Sequence, residues 1–136
     1  MSVPSTPATR APAKLLVVDD NPVNLKIFAL TLELIDAQVA SFDNGLAALR
    51  HLETSDTLPE VLIIDRLMPG MDGLEVVARV RSKPEYSQIR ILMASAAAAP
   101  GEVNTGLEAG VDRYLTKPFT PQELLDAVAE LRVVSR

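Results

Sequence analysis

Cysteine is absent from the 136 residues, which excludes disulfides, thiolate metal sites and a thiol nucleophile. Tryptophan is missing too and aromatics reach only 4%, so any core must be built from Leu, Val, Ile and Ala. Basic charge is scarce: the net charge is -5, and no Lys/Arg cluster offers a footprint for nucleic acid. No apolar run approaches the roughly 20 residues a membrane span needs. The N-terminus lacks the charged-then-apolar pattern of a secretory signal, so a soluble cytoplasmic protein is expected. No self-similarity at solenoid periods is visible, which argues against a repeat array.

What remains is an aliphatic chain, 48% hydrophobic, of a length that buries about 68% of its unfolded surface as one domain. Residues 1–13 are mostly Pro, Ser, Thr and Ala. They cannot bury enough surface to offset their ordering entropy and read as a flexible tail before a folded domain at 14–136.

Val61, Leu62, Ile63 and Ile64 form an unbroken aliphatic run, the pattern of a parallel strand buried on both faces. Asp65 ends it, and Pro69, Gly70 and Gly73 break the chain behind. Comparable strands read at 15–18, 39–42, 89–94 and 111–115. Between them the spacing predicts five helices. The first is capped by Asn21 with Pro22 at its first position, carries Val23, Ile27, Leu30 and Leu34 at helical spacing, and runs to about Ile35. The second follows Asn44 and Gly45, with Leu46, Leu49 and Leu52 along one side, and Asp72 caps the third through Leu74, Val77 and Val80. The fourth, at 101–109, has two glycines and reads as short and weak. The last opens on a capping box, Thr120 to Glu123, and continues through Leu124, Val128 and Leu131. Alternating strands and helices argue for an α/β fold, a parallel sheet covered on both faces.

Asp19 and Asp20, Asp65, Ser95 and Lys117 all fall at strand C-termini, which share one edge in such a sheet. Three converging carboxylates repel one another, and a hard cation held by oxygens, such as Mg²⁺, removes that difficulty. A lysine and a hydroxyl opposite suit a small tetrahedral anion such as phosphoryl. Singly, each residue also has an ordinary reading: a helix cap for the aspartates, a turn for Ser95, a solvated cation for Lys117.

Together these stretches resemble the receiver domain of two-component response regulators. The matching segments are LLVVDDN at 15–21, LIIDRLMPGMDG at 62–73, LMASA at 92–96 and DRYLTKPF at 112–119. The resemblance spans about 14–133. It implies a flavodoxin-like, doubly wound sheet of order 2-1-3-4-5, with Asp65 as phosphoacceptor for a sensor histidine kinase or histidine phosphotransferase. It also implies Mg²⁺ (or Mn²⁺) on Asp19, Asp20, Asp65 and the Leu67 carbonyl. Ser95 and Lys117 would hold the phosphoryl oxygens with the main chain at Arg66 and Ala96, and Ser95 and Tyr114 would form the switch.

Arg66, Leu67 and Ala97 depart from the family pattern. Arg66 stands where an aliphatic or aromatic residue is usual; it is either a solvated arginine or a group that biases the local field toward anions. Leu67 and Ala97 are apolar where relatives often place polar groups that orient water. His51, the only histidine, reads as a surface residue on the second helix, and the methionines as filler.

The expected function is a phosphorylatable receiver that catalyses only its own phosphorylation and dephosphorylation. It would stand alone, since Arg136 follows closely on the last predicted helix. It would dock a downstream target protein, or a second copy of itself, through the face at 101–133. Three alternatives compete: an Mg²⁺-dependent phosphohydrolase with Asp65 as nucleophile, a receiver piece of a hybrid histidine kinase, and a binding-only pseudo-receiver. The first lacks the usual second acid, because Leu67 occupies its position.

Overall fold

The computed structural model describes residues 12–133. The tail expected at 1–13 therefore lies almost wholly outside the described residues. Ala13, its last residue, instead opens the first strand and is fully buried.

Five parallel strands form one sheet: β1 (Ala13–Val18), β2 (Ala37–Phe42), β3 (Val61–Ile64), β4 (Arg90–Ser95) and β5 (Arg113–Thr116). Their spatial order is 2-1-3-4-5, as the resemblance implied. The helices are α1 (Pro22–Leu32), α2 (Gly45–Thr54), α3 (Gly73–Arg81), α4 (Pro100–Ala109) and α5 (Pro121–Val133), with a short 3-10 turn at Pro84–Tyr86. The period-2 alternation of each buried strand feeds two cores. Leu16, Val18, Leu62, Ile64, Ile91 and Met93 face α2 and α3, while Leu15, Val17, Ile63, Leu92 and Ala94 face α1 and α5.

Local chemistry starts and stops these helices. Asn21 accepts the Val23 and Asn24 N–H groups to cap α1, Asn44 accepts that of Ala47 to cap α2, and Asp72 that of Glu75 to cap α3. Thr120 and Glu123 form the reciprocal box expected at α5.

The sequence reading of α1 fails in two respects. The helix stops at Leu32, not Ile35, and the apolar residues whose spacing marked the helix point to solvent instead of into the core. Val23, Ile27, Leu30 and Leu34 are 63%, 47%, 56% and 70% exposed, whereas Phe28 and Leu32 are buried. Apolar residues lie on both sides of this helix, so periodicity alone could not choose the buried one. In α2 the buried residues are Gly45, Ala48 and Leu52, and Leu46 is exposed. β4 ends on Ser95, one residue later than expected, and β5 ends on Thr116. His51 is half-buried rather than on the surface, its ring 5.1 Å from that of Phe42.

Candidate functional site

The β1–β3 register pairs Val18 with Ile64, so the residues that follow, Asp19 and Asp65, emerge side by side at the carboxyl edge. The Asp65 N–H donates to the Val18 carbonyl at 3.0 Å and extends that pairing by one residue. Asp65 is pinned from behind by α3. The Gly73 N–H donates to the Arg66 carbonyl at 2.8 Å, and a Cβ on Gly73 would lie 2.2 Å from the Asp65 carbonyl oxygen. Only glycine lets the helix start this close to the strand end.

Carboxylate oxygens of Asp19, Asp20 and Asp65 lie within 4.8 Å of one another. Asp19 is buried, Asp65 half-buried and Asp20 exposed. Lys117 arrives from the end of β5, where its N–H donates to the Ser95 carbonyl at 3.0 Å. Its Nζ donates to Asp19 Oδ2 at 2.7 Å and to Asp65 Oδ2 at 3.3 Å. Three carboxylates against one ammonium leave a local charge of -2, which a divalent cation with oxygen preference would balance. The acidic pocket thus fits the ion expected from the sequence.

The other expected residues are arranged around this cluster. Ser95 is fully buried, and its hydroxyl oxygen accepts the Ala97 N–H at 3.1 Å, which leaves its own proton to donate. Ala96 is exposed beside Lys117 in a depression also lined by Asn24, Ile27, Phe28 and Pro118. The Leu67 N–H donates to Asp65 Oδ1 at 3.4 Å, and the Leu67 side chain projects into solvent. Tyr114 is not at the carboxylates. Its hydroxyl donates to the Ala97 carbonyl, and its ring edge would lie 3.0 Å from a Cβ on Gly106 of α4. It therefore joins the loop after β4 to α4.

Two residues take part that sequence reasoning passed over. Asn24 Nδ2 donates to Asp19 Oδ2 at 3.3 Å and helps hold the buried carboxylate. Its signal was present: with Asn21 as cap and Pro22 opening the helix, position 24 falls in the first turn beside the strand end. Glu102 is the second, since Arg66 Nη1 donates to its main-chain carbonyl at 2.5 Å. No spacing rule points to a partner 36 residues away.

Comparison with known proteins agrees with this arrangement. The family profile described as "Response regulator receiver domain" matches residues 15–129. Chemotaxis protein CheY1 of Helicobacter pylori is 42% identical over 113 residues, covering 82% of this chain and 90% of that one. Sensor histidine kinase GacS of Pseudomonas protegens is 36% identical over 126 residues, 90% of this chain but only 13% of the kinase. Among solved structures, a putative response regulator from Chloroflexus aurantiacus superposes with a TM-score of 0.85 at 35% identity, covering 91% of this chain and all of that one. The receiver domain of a Pseudomonas aeruginosa sensor histidine kinase, solved with a magnesium ion coordinated in its active-site cleft, gives 0.82 at 27% identity over 91% of this chain and 100% of that domain. With the family profile matched over 15–129 and a relative 42% identical over most of both chains, the chain belongs to the response regulator receiver domain family.

Proposed function

We propose that the chain is a phosphorylation switch in which Asp65 takes a phosphoryl group from the phosphohistidine of a sensor kinase or phosphotransferase. One observation carries this reading: a half-buried carboxylate at the open end of β3 with two further carboxylates and a lysine around it. In the transfer an Asp65 carboxylate oxygen attacks phosphorus, the P–N bond breaks, and its electron pair returns to the donor imidazole. Lys117 Nζ, already bonded to Asp19 and Asp65, neutralises charge on the incoming oxygens. The Ser95 hydroxyl and the main-chain N–H groups of Arg66 and Ala96 supply further donors. Catalysis stays confined to the protein's own phosphorylation and its reversal.

Asp19, Asp20 and Asp65, with the Leu67 carbonyl, are the residues that would hold Mg²⁺, or Mn²⁺ with similar oxygen preference. The ion's contribution is to neutralise phosphoryl oxygens so that an anionic nucleophile can approach. The magnesium seen in the Pseudomonas aeruginosa relative supports this reading.

The donor must reach the same opening. Beside it α1 exposes Val23, Ile27 and Leu30, with Leu34 in the turn beyond, at spacings of four, three and four. That is the a/d spacing of a seam that packs against a partner helix. We assign phosphodonor docking to this stripe and the adjoining Asn24–Phe28–Pro118 depression. The output surface is α4, β5 and α5, where Tyr114 links the β4–α4 loop to the helix; a homodimer would use the same face.

Incubation with Mg²⁺ and acetyl phosphate tests the reading. One acid-stable, hydroxylamine-labile phosphoryl group per chain, lost in Asp65→Asn, is expected. Turnover of many phosphates would instead make it a hydrolase, the weaker reading because Leu67 has no proton to give or take. Failure to label at all would leave a binding-only protein.

A further inference from the structure

We propose that Arg66 is a charged strap: its guanidinium holds the first turn of α4 in the resting protein and moves to the phosphoryl group when Asp65 is phosphorylated. The inference builds on Asp65 being the acceptor. It starts from a half-buried arginine adjacent in sequence to that residue, with Cα atoms about 3.8 Å apart. The side chain reaches from the end of β3 to the Glu102 carbonyl, its only hydrogen bond among the described residues.

Helix α4 needs such a tie. Its cap residue is Ala99, which has no side chain to satisfy the first-turn N–H groups. Glu102 turns its carboxylate back to the Ala99 N–H at 3.0 Å, and Arg66 grips the same residue by its carbonyl. Leu107 is exposed, so packing adds little on that side. The tie is also easily given up. A guanidinium at a helix N-terminus faces the positive end of the macrodipole, and within the first turn of α4 the acidic residue that offsets it is Glu102.

Phosphorylation turns the single negative charge of Asp65 into about two and places phosphoryl oxygens one residue from Arg66. The guanidinium has one partner and five N–H donors, and its planar fork suits phosphoryl oxygens better than a single carbonyl. Its main chain cannot follow, because the Arg66 carbonyl is bonded to Gly73 and its Cα packs against that glycine. Only the side chain swings. Glu102 is released, and the signal passes to α4 without any displacement of β3.

The chain of residues 1–136, wild type and the variants Arg66→Leu and Arg66→Lys, is compared with and without Mg²⁺ and beryllofluoride as phosphoryl mimic. Amide exchange is read over residues 102–107. In wild type the mimic should speed exchange there about fivefold. Arg66→Leu should already exchange at that faster rate without mimic and respond little to it. Its beryllofluoride midpoint should rise about tenfold at low salt and less at high salt, while Arg66→Lys should restore most of the affinity through its charge. A merely structural clasp would loosen α4 but leave the midpoint and its salt dependence alone, and that result overturns the proposal. Equal exchange in resting wild type and Arg66→Leu also overturns it. Mimic binding that survives Asp65→Asn would overturn the acceptor assignment together with the strap, so the two failures are distinguishable.

Discussion

The sheet carries buried charge at both of its edges, and the two edges solve the problem differently. At the amino edge, where β4 and β5 begin, Asp112 accepts the Ile91 N–H at 2.7 Å and Arg81 Nη2 at 2.9 Å. Arg81 also donates to the Gly110 carbonyl, and Glu60 pairs with Arg132 at 3.0 Å. Each carboxylate there has a guanidinium of its own. At the carboxyl edge three carboxylates share one lysine, and Asp20 makes no hydrogen bond among the described residues. One ion pair at each edge is about equally shielded: the side chains of Arg81 and Asp112 are 16% and 19% exposed, those of Lys117 and Asp65 16% and 12%. Burial therefore does not tell function from structure here. Imbalance does, because an unmatched charge needs a ligand and a matched one needs nothing.

The contrast breaks most visibly under a pair of substitutions. Asp65→Asn should abolish phosphorylation and leave stability unchanged or slightly higher, since it removes one of three repelling carboxylates. Asp112→Ala should do the reverse. It removes the carboxylate partner of Arg81 and the acceptor of the Ile91 N–H and should cost about 3 kcal/mol, with labelling by acetyl phosphate retained in the folded fraction. Urea unfolding and phosphate incorporation on both variants give the answer. Lost labelling in folded Asp112→Ala would mean that the amino edge is not merely structural.

A smaller effect is expected at Gly73, where the carboxyl edge meets α3. A methyl group there collides with the Asp65 and Arg66 main chain, and neither can move without shifting the acceptor. Gly73→Ala should cost about 2 kcal/mol and slow phosphorylation more than the stability loss explains. Normal kinetics in the folded variant would show that the helix does not set the acceptor's position.

The carboxyl edge was legible in the sequence because each of its residues sits at the end of an aliphatic run, and parallel strands bring such ends together. Asp19, Asp65, Ser95 and Lys117 needed only strand counting. Sheet order came from the resemblance, whose motifs supplied what periodicity lacks. The amino edge was illegible for the opposite reason: no local pattern marks Arg81, Arg90 or Asp112, although Arg90 at the start of β4 is buried. The α1 face was misread because Leu25, Phe28 and Leu32 keep helical spacing as well as Val23, Ile27 and Leu30 do. Arg66 was flagged as unusual, but its reach to Glu102 depends on β4, which leads into α4, lying beside β3 in the sheet, and leaves no local trace.

Divalent metal sharpens the comparison further. Binding at the unmatched edge should stabilise the folded protein by mass action, about 1.4 kcal/mol at ten times the dissociation constant. Thermal melting with and without Mg²⁺ measures it. Asp20→Ala should lose most of the upshift, whereas Glu60→Gln, at the matched edge, should keep it. An equal upshift in both variants would put the metal elsewhere.

The smallest effect comes from a buried group near the matched edge whose charged form is disfavoured. Tyr86, in the 3-10 turn whose carbonyl Arg81 reaches, is buried and has its phenol pushed above the ordinary tyrosine value. Burial is the main cause, and the negative charges of Glu53 and Glu85 add to it. The folded state thus disfavours the phenolate more than the unfolded chain does. Stability from this residue is intact below the ordinary value of about 10 and is lost as pH rises through the raised one. Tyr86→Phe removes the ionisation but keeps the ring in the core. Urea midpoints of the two proteins should run parallel at neutral pH and converge or cross above about pH 10, with the wild type falling faster. If the gap between them holds constant across that range, the hydroxyl ionises as freely in the fold as outside it, and the edge near Tyr86 is as well compensated as its ion pairs are.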